Sequence, residues 1–306
     1  MSAQSAPAKK IGLIGLGSMG FGMAASLARA GHAVTGFDVN ADAVARFAAE
    51  HGAGAASPAE AAADADIIVV VVVNAAQTRT VLFGENGAAT AAKPGAVIIA
   101  SATMSPDDAK ALAGDAEALG LLYLDAPISG GAQRAAEGAL TILASGSPET
   151  FAAARPALDA MAATLYELGE APGVGAAFKM VNQLLAGVHI AAACEAITFA
   201  KRFDLDIAKV YEVITASAGN SWMFENRIPH VLEGDYAPRS AIDIFVKDLG
   251  IVADMSRATK FPTPMAGAGL QLFLMSAAAG MGRDDDASVA RLFAQIAGLE
   301  LPGAKT

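Results

Sequence analysis

The sequence predicts an α/β protein. It has an N-terminal Rossmann-type, doubly wound sheet and an all-α C-terminal domain, joined by a long helix. Three observations carry that reading. From Lys10 to about residue 169, short β-rich segments alternate with helical ones, the pattern of parallel strands linked by right-handed crossovers. One of these segments, IIVVVVV at 67–73, has the continuous branched character of a strand covered on both faces. Past residue 171 no strand pattern returns, and helical periodicity runs almost to the last residue.

In chain order, residues 1–9 read as a flexible tail before the first patterned segment. IGLIG (11–15) is a strand, followed by a helix through FGMAASLARAG (21–31). HAVTGFD (32–38) is the next strand, and ADAVARFAAEHG (41–52) is a helix closed by a glycine. After 67–73, the segments GAVIIAS (95–101), LLYLDAP (121–127), ALTILAS (139–145) and ATLYELG (163–169) read as later strands. The expected boundaries are 10–170 for a dinucleotide-binding domain and 171–306 for a helical substrate and oligomerisation domain. A linking helix over about 172–203 would be roughly 48 Å long at ~1.5 Å per residue.

A length of 306 residues suits about two domains. With 54% apolar and only 17% charged residues, the chain can fill a large core. A net charge of −10 speaks against a nucleic-acid surface, which needs clustered Lys and Arg. The single cysteine, Cys194, rules out an internal disulfide framework and fits a reducing compartment; in its apolar helical setting it reads as a small core residue. The opening MSAQSAPAKK has no signal-peptide core, and 67–73, the longest run of large apolar residues, is too short for a bilayer. The expectation is a soluble cytoplasmic protein with neither membrane nor nucleic-acid partners. Its four histidines lack ligand spacing, so no metal is expected.

GLGSMG places Gly15, Gly17 and Gly20 in a GxGxxG pattern after a strand and at the opening of a helix. In that context the first glycine makes a tight turn, the second admits a pyrophosphate, and the third lets helix pack on strand. Leu16, Ser18 and Met19 complete the loop, whose amides point toward phosphate at a helix N-terminus. Asp38 ends the second strand 18 residues after Gly20, where a carboxylate accepts hydrogen bonds from ribose hydroxyls. That charge repels a 2′-phosphate, and Val39 and Asn40 supply no arginine to receive one. NAD is expected rather than NADP. Val73 and Asn74 end the third strong strand at its carboxyl edge, where open sheets bind ligands.

FKMVNQLLAGVH (178–189) sets a lysine and an asparagine in an otherwise apolar helix, and a buried ammonium is costly unless paired or employed. With GLGSMG, DAPISGG (125–131) and KMVNQ (179–183) together, the chain resembles the β-hydroxyacid dehydrogenase family, which includes 3-hydroxyisobutyrate dehydrogenase and tartronate semialdehyde reductase. Longer stretches, LLAGVHIAA (184–192), AGNSWMFENR (218–227) and GDYAPRSAIDIFVKDLG (234–250), are similar to its NAD-dependent branch acting on four-carbon sugar acids.

The resemblance implies that Ser129 and the amides of Gly130 and Gly131 bind the substrate carboxylate. It implies that Lys179 is the general acid/base and Asn182 its neighbour, about 60° away on one helical face. It also implies cofactor contacts from Thr103 and Lys247, although Lys247 on spacing alone reads as a solvated helix position. His189, seven residues beyond Asn182, is expected to hydrogen-bond a distal hydroxyl of the acid or else to sit in the core. Asn220 is a further candidate substrate contact in a helix-to-helix turn. The implied activity is oxidation of a hydroxy acid by a homodimer or homotetramer. Reduction of a smaller semialdehyde, or the 3-hydroxyisobutyrate reaction, is the alternative activity; a non-catalytic dinucleotide-binding protein is the alternative class.

Overall fold

A computed structural model describes residues 7–303. Most of the expected tail, residues 1–6, lies outside the described residues, as do 304–306. The chain divides into two compact units, Met1–Lys179 and Met180–Thr306.

The first unit is built on a six-stranded parallel sheet in the order β3-β2-β1-β4-β5-β6. These strands are β1 (Lys10–Ile14), β2 (Ala33–Phe37), β3 (Ala53–Gly54), β4 (Ile67–Val70), β5 (Val97–Ala100) and β6 (Leu122–Asp125). Between them run α1 (Gly20–Arg29), α2 (Ala41–Glu50), α3 (Pro58–Ala62), α4 (Ala75–Phe83), α5 (Ala88–Ala91) and α6 (Pro106–Glu117). Strand side chains alternate between two cores, as the period of two demands. Ile11, Leu13, Ile67, Val69, Val97 and Ile99 join Met23 and Leu27 of α1. Ile14, Ile68, Val70, Ile98 and Ala100 join Ala109 and Leu112 of α6 on the other. Burial of both faces explains why Ile67–Val70 carries no polar alternation; the strand stops there, short of the expected 73, and Val73 beyond it is 45% exposed.

The later strands depart from the expected single sheet. β7 (Ile128–Ser129), β8 (Leu140–Ala144) and β9 (Ala162–Glu167) form a separate three-stranded sheet, with β7 antiparallel and β9 parallel to β8. α7 (Gly131–Glu137) and α8 (Pro148–Met161) connect them. The chain leaving β6 pairs at once with β8 in the antiparallel sense, with the Leu143 amide donating to Pro127 O at 3.0 Å; the returning strand is therefore not added parallel to β6. Three helices start with one device, a serine cap followed by proline: the Oγ atoms of Ser57, Ser105 and Ser147 accept the amides of Glu60, Asp108 and Thr150, and proline fills a position whose amide has no helical partner.

The second unit is helical. α9 (Val174–Arg202) begins in the first unit and continues into it, followed by α10 (Ile207–Thr215), α11 (Trp222–Glu233), α12 (Ile242–Thr259), α13 (Pro264–Ser276) and α14 (Val289–Ala297). Ile190, Cys194, Ile197, Phe224, Ile228, Phe245 and Phe273 form its core. Cys194 is the small buried residue its setting suggested. Arg227 donates to the buried Asp286 at 2.6 Å and ties α11 to the turn before α14. Beside it, His230 Nδ1 and Asp285 Oδ1 lie 2.8 Å apart, and the Arg239 amide donates to Asp285 Oδ2 at 3.0 Å. Among the described residues two helical stretches suffice by length and composition to cross a bilayer, α9 and Pro264–Met281; a core helix passes the same test, and 56% of the most apolar window of α9 is buried in the fold.

Candidate active site

At the turn after β1, the three glycines are not equivalent. Gly15 has φ +102°, and a Cβ there would lie 2.3 Å from Val71 O. A Cβ on Gly20 would lie 1.7 Å from Gly15 O. Both glycines are demanded by the fold itself. Gly17 has nothing within 4 Å of a built Cβ; it opens a cradle that a side chain would fill, which fits a bound pyrophosphate. Asp38 closes the loop: its Oδ2 accepts the Leu16 amide at 2.6 Å and its Oδ1 the Asn40 amide at 2.8 Å. The carboxylate keeps acceptor capacity for ribose hydroxyls. A cleft of about 530 Å³ lies alongside, lined by Gly17, Ser18, Asn40 and Arg46 among others. The sequence reading saw no arginine near Asp38, yet helix geometry brings in Arg46, its guanidinium 3.8 Å from the Phe21 ring centre.

Val73 and Asn74 leave β4 in a reciprocal cap. The Val73 amide donates to Gln77 Oε1 at 3.0 Å, and the Gln77 amide donates to Asn74 Oδ1 at 2.8 Å. The side chain of Asn74 thus starts α4, while the backbone around it faces the edge of the sheet. Thr103 follows β5, half-buried, on that same edge.

The DAPISGG segment is held against β8. Ser129 pairs with Thr141 and Ile128 with Ile142, and an isolated bridge joins Asp125 to Ser145. Gly130 and Gly131 both have positive φ, +139° and +79°, which only glycine adopts readily. Successive amides in such a turn form an anion-binding concavity, and α7 starts directly behind it.

Lys179 is only 6% exposed and sits in the second turn of α9. The first turn is clamped. Asp125 Oδ2 accepts the amides of Gly173 and Ala176, both at 2.9 Å, and the Ser145 hydroxyl at 3.3 Å. Ser145 Oγ in turn accepts the Gly175 amide at 2.9 Å. Burial pushes the Asp125 carboxyl above its ordinary value, and the Ala176, Gly173 and Ser145 donors counter part of that shift.

In the second unit, Asn182 begins a polar chain that the sequence did not disclose. Asn182 Nδ2 donates to Gln183 Oε1 at 2.9 Å, and Gln183 Nε2 donates to Asp248 Oδ2 at 2.5 Å. Asp248 Oδ1 forms an ion pair with Lys247 Nζ at 2.8 Å. Asp248 is 1% exposed, and Lys247, paired with it, is not at the solvated helix position that spacing alone suggests. Gln183 and Asp248 are the residues missed: the first was hidden by its ordinary polarity, the second by lying 65 residues away. His189 is half-buried further along α9. Asn220 is used in the turn before α11, its Nδ2 donating to Thr215 O at 3.1 Å and to Glu225 Oε1 at 2.5 Å. Among the described residues no group of His, Cys, Asp and Glu is arranged to hold a metal ion.

Comparison with known proteins accords with this layout. Residues 10–169 match the model of the NAD binding domain of 6-phosphogluconate dehydrogenase, and residues 173–293 match the NAD-binding of NADP-dependent 3-hydroxyisobutyrate dehydrogenase. The L-threonate dehydrogenase of Cupriavidus necator is 52% identical over 295 residues, covering 96% of this chain and 98% of that protein. That of Escherichia coli K12 is 46% identical over 297 residues, covering 97% of each. A crystal structure described as 3-hydroxyisobutyrate dehydrogenase from Salmonella typhimurium superposes with a TM-score of 0.88 at 49% identity, over 92% of this chain and 99% of that one.

Proposed function

The chain belongs to the 3-hydroxyisobutyrate dehydrogenase family, and from that membership we propose that it oxidises L-threonate to 2-oxo-tetronate with NAD. The observation that carries the substrate is the near full-length identity to L-threonate dehydrogenases. Gly15, Leu16, Gly17, Ser18, Met19 and Gly20 hold the pyrophosphate, and Asp38 the adenosine ribose. Val73, Asn74, Thr103 and Lys247 line the remainder of the cofactor's path. When bound, NAD accepts the hydride that leaves the substrate's carbinol carbon.

Ser129 and the amides of Gly130 and Gly131 fix the substrate carboxylate. Neutral Lys179 takes the hydroxyl proton during oxidation, and as an ammonium returns it in the reverse direction. Asn182 orients amine and hydroxyl without titrating, and its own amide is held by Gln183, which Asp248 holds in turn. His189 hydrogen-bonds a distal hydroxyl, the group that separates a four-carbon acid from shorter ones. The protein is a cytoplasmic homo-oligomer on this reading. A lone, buried cysteine suits a reducing compartment, and Phe178, Val181, Leu185 and Phe199 of α9, with Phe203 just past its end, are apolar and each 49–64% exposed, surface which a second copy would cover.

The test is the absorbance of reduced nicotinamide on mixing the protein with L-threonate. NAD should support turnover far better than NADP, and Lys179→Ala should lower kcat about 10²–10⁴-fold while NAD still binds. A preference for NADP would refute the role given to Asp38. Silence across a panel of four-carbon aldonates would overturn the activity.

A further inference from the structure

Asp125 and Ser145 are buried, at 2% and 0% exposed, and the chemistry above uses neither. Both belong to a single antiparallel ladder. The pairs Asp125–Ser145, Pro127–Leu143, Ile128–Ile142 and Ser129–Thr141 keep one unbroken register. Asp125 and Ser145 exchange both backbone hydrogen bonds, at 3.1 and 2.8 Å. The carboxylate-binding Ser129 therefore stands at one end of a rigid ladder and the Asp125–Ser145 pair at the other. From that second end, the two side chains reach across to the first turn of α9.

Three donors converge on one oxygen of Asp125, and a fourth meets Ser145 Oγ. These satisfy helix-start amides that have no partner within the helix, at the end of the helix dipole that favours an anion. The contact is also as close as backbone allows. A Cβ on Gly175 would lie 2.3 Å from Leu143 O and 3.2 Å from Asp125 Oδ2, and Gly173 enters the helix at φ +95°. Lys179 follows Ala176 by less than one turn, so the clamp sets where that side chain starts.

We propose that Asp125 and Ser145 are positioning residues, which hold Lys179 at a fixed distance from the substrate-binding turn Ser129–Gly131 by locking helix and turn to the same ladder. The proposal rests on Lys179 acting as the proton acceptor. It predicts a defect in the chemical step and not in binding, because the residues given to cofactor and carboxylate are left in place. A misplacement of about 1 Å costs up to ~10²-fold in rate.

The experiment compares wild type with Asp125→Asn, Asp125→Ala, Ser145→Ala and Gly175→Ala, the last displacing the helix without removing a polar group. With kcat expressed per NAD-binding site, to discount any unfolded fraction, it should fall about 10–100-fold. KM for L-threonate and NAD should stay within about threefold, and the isotope effect from deuterium at the oxidised carbon should grow. Asp125→Asn, which keeps an acceptor oxygen, should lose less than Asp125→Ala. Unchanged kcat, or KM rising in step with the loss of kcat, would overturn the proposal. Should wild type itself fail to turn over L-threonate, the assigned activity falls, and amide exchange at Gly173–Lys179 judges the clamp by itself. Faster exchange in Asp125→Ala supports it; unchanged exchange overturns it.

Discussion

A lysine in an apolar helix announces itself, and Lys179 was legible for that reason: the cost of burying an ammonium makes its presence informative. The glycines of GLGSMG and the ISGG turn were legible because backbone conformation restricts the residue type. Asp125, Gln183 and Asp248 were not, since what each does depends on donors or acceptors far along the chain. Arg46 escaped notice because its approach to the Asp38 region depends on where helix α2 lies. His189 is where residue-scale reasoning makes its sharpest demand. If its imidazole reads a distal hydroxyl, His189→Ala should reduce kcat/KM for L-threonate about 10-fold or more, roughly the worth of one hydrogen bond to a polar group, and leave a three-carbon hydroxy acid nearly untouched. Steady-state kinetics on both acids decides it, and equal losses would return His189 to the core.

At the scale of elements, long periodic segments were read well. The helix expected over about 172–203 is α9, Val174–Arg202, and the principal strands overlap the segments named for them, with β1 and β9 each starting one residue earlier. β3 has two residues, too few to show any period. The separate sheet of β7, β8 and β9 escaped because strand patterns carry no label of their partner. The turn before α14 offers a test of how one element is fastened to another. Burial would raise the Asp285 carboxyl, but His230 and the amides of Arg239 and Ala287 outweigh burial and hold it below its ordinary value of 3.8. A group with a lowered native pKa stabilises the fold above its unfolded pKa, and that contribution fades as pH falls through the native value. Urea midpoints should accordingly carry this share in full from pH 7 to about 5 and lose it below about 4. Asp285→Asn should cost about 1–3 kcal/mol at pH 7, the usual order for weakening the hydrogen bonds of a buried polar group, and should flatten the acid limb.

For the whole molecule, the apolar character of α9 has two separate sources. One face packs into the core, and the other carries Phe178, Val181, Leu185 and Phe199 toward solvent, joined by Phe203 just past the helix end. Composition alone merged the two. Phe178, Val181 and Leu185 follow one another at steps of three and four and so share one face of the helix, and Phe199 and Phe203 add a second apolar patch around its C-terminal end. Light scattering after size exclusion should give wild type as a dimer or larger, and Leu185→Glu with Phe199→Glu should shift it toward the monomer mass. A monomeric wild type at micromolar concentration would remove this surface's assigned purpose.

The unequal glycines of the first turn also bear on how such a protein would age. Gly15 and Gly20 are fixed by neighbouring backbone atoms, whereas Gly17 faces open space. A lineage that stopped depending on turnover would shed Gly17 without any folding penalty and retain the other two indefinitely. In a set of drifting descendants, the middle glycine would thus keep the record of when the enzyme was last in use, while its neighbours attest only that the protein still folds.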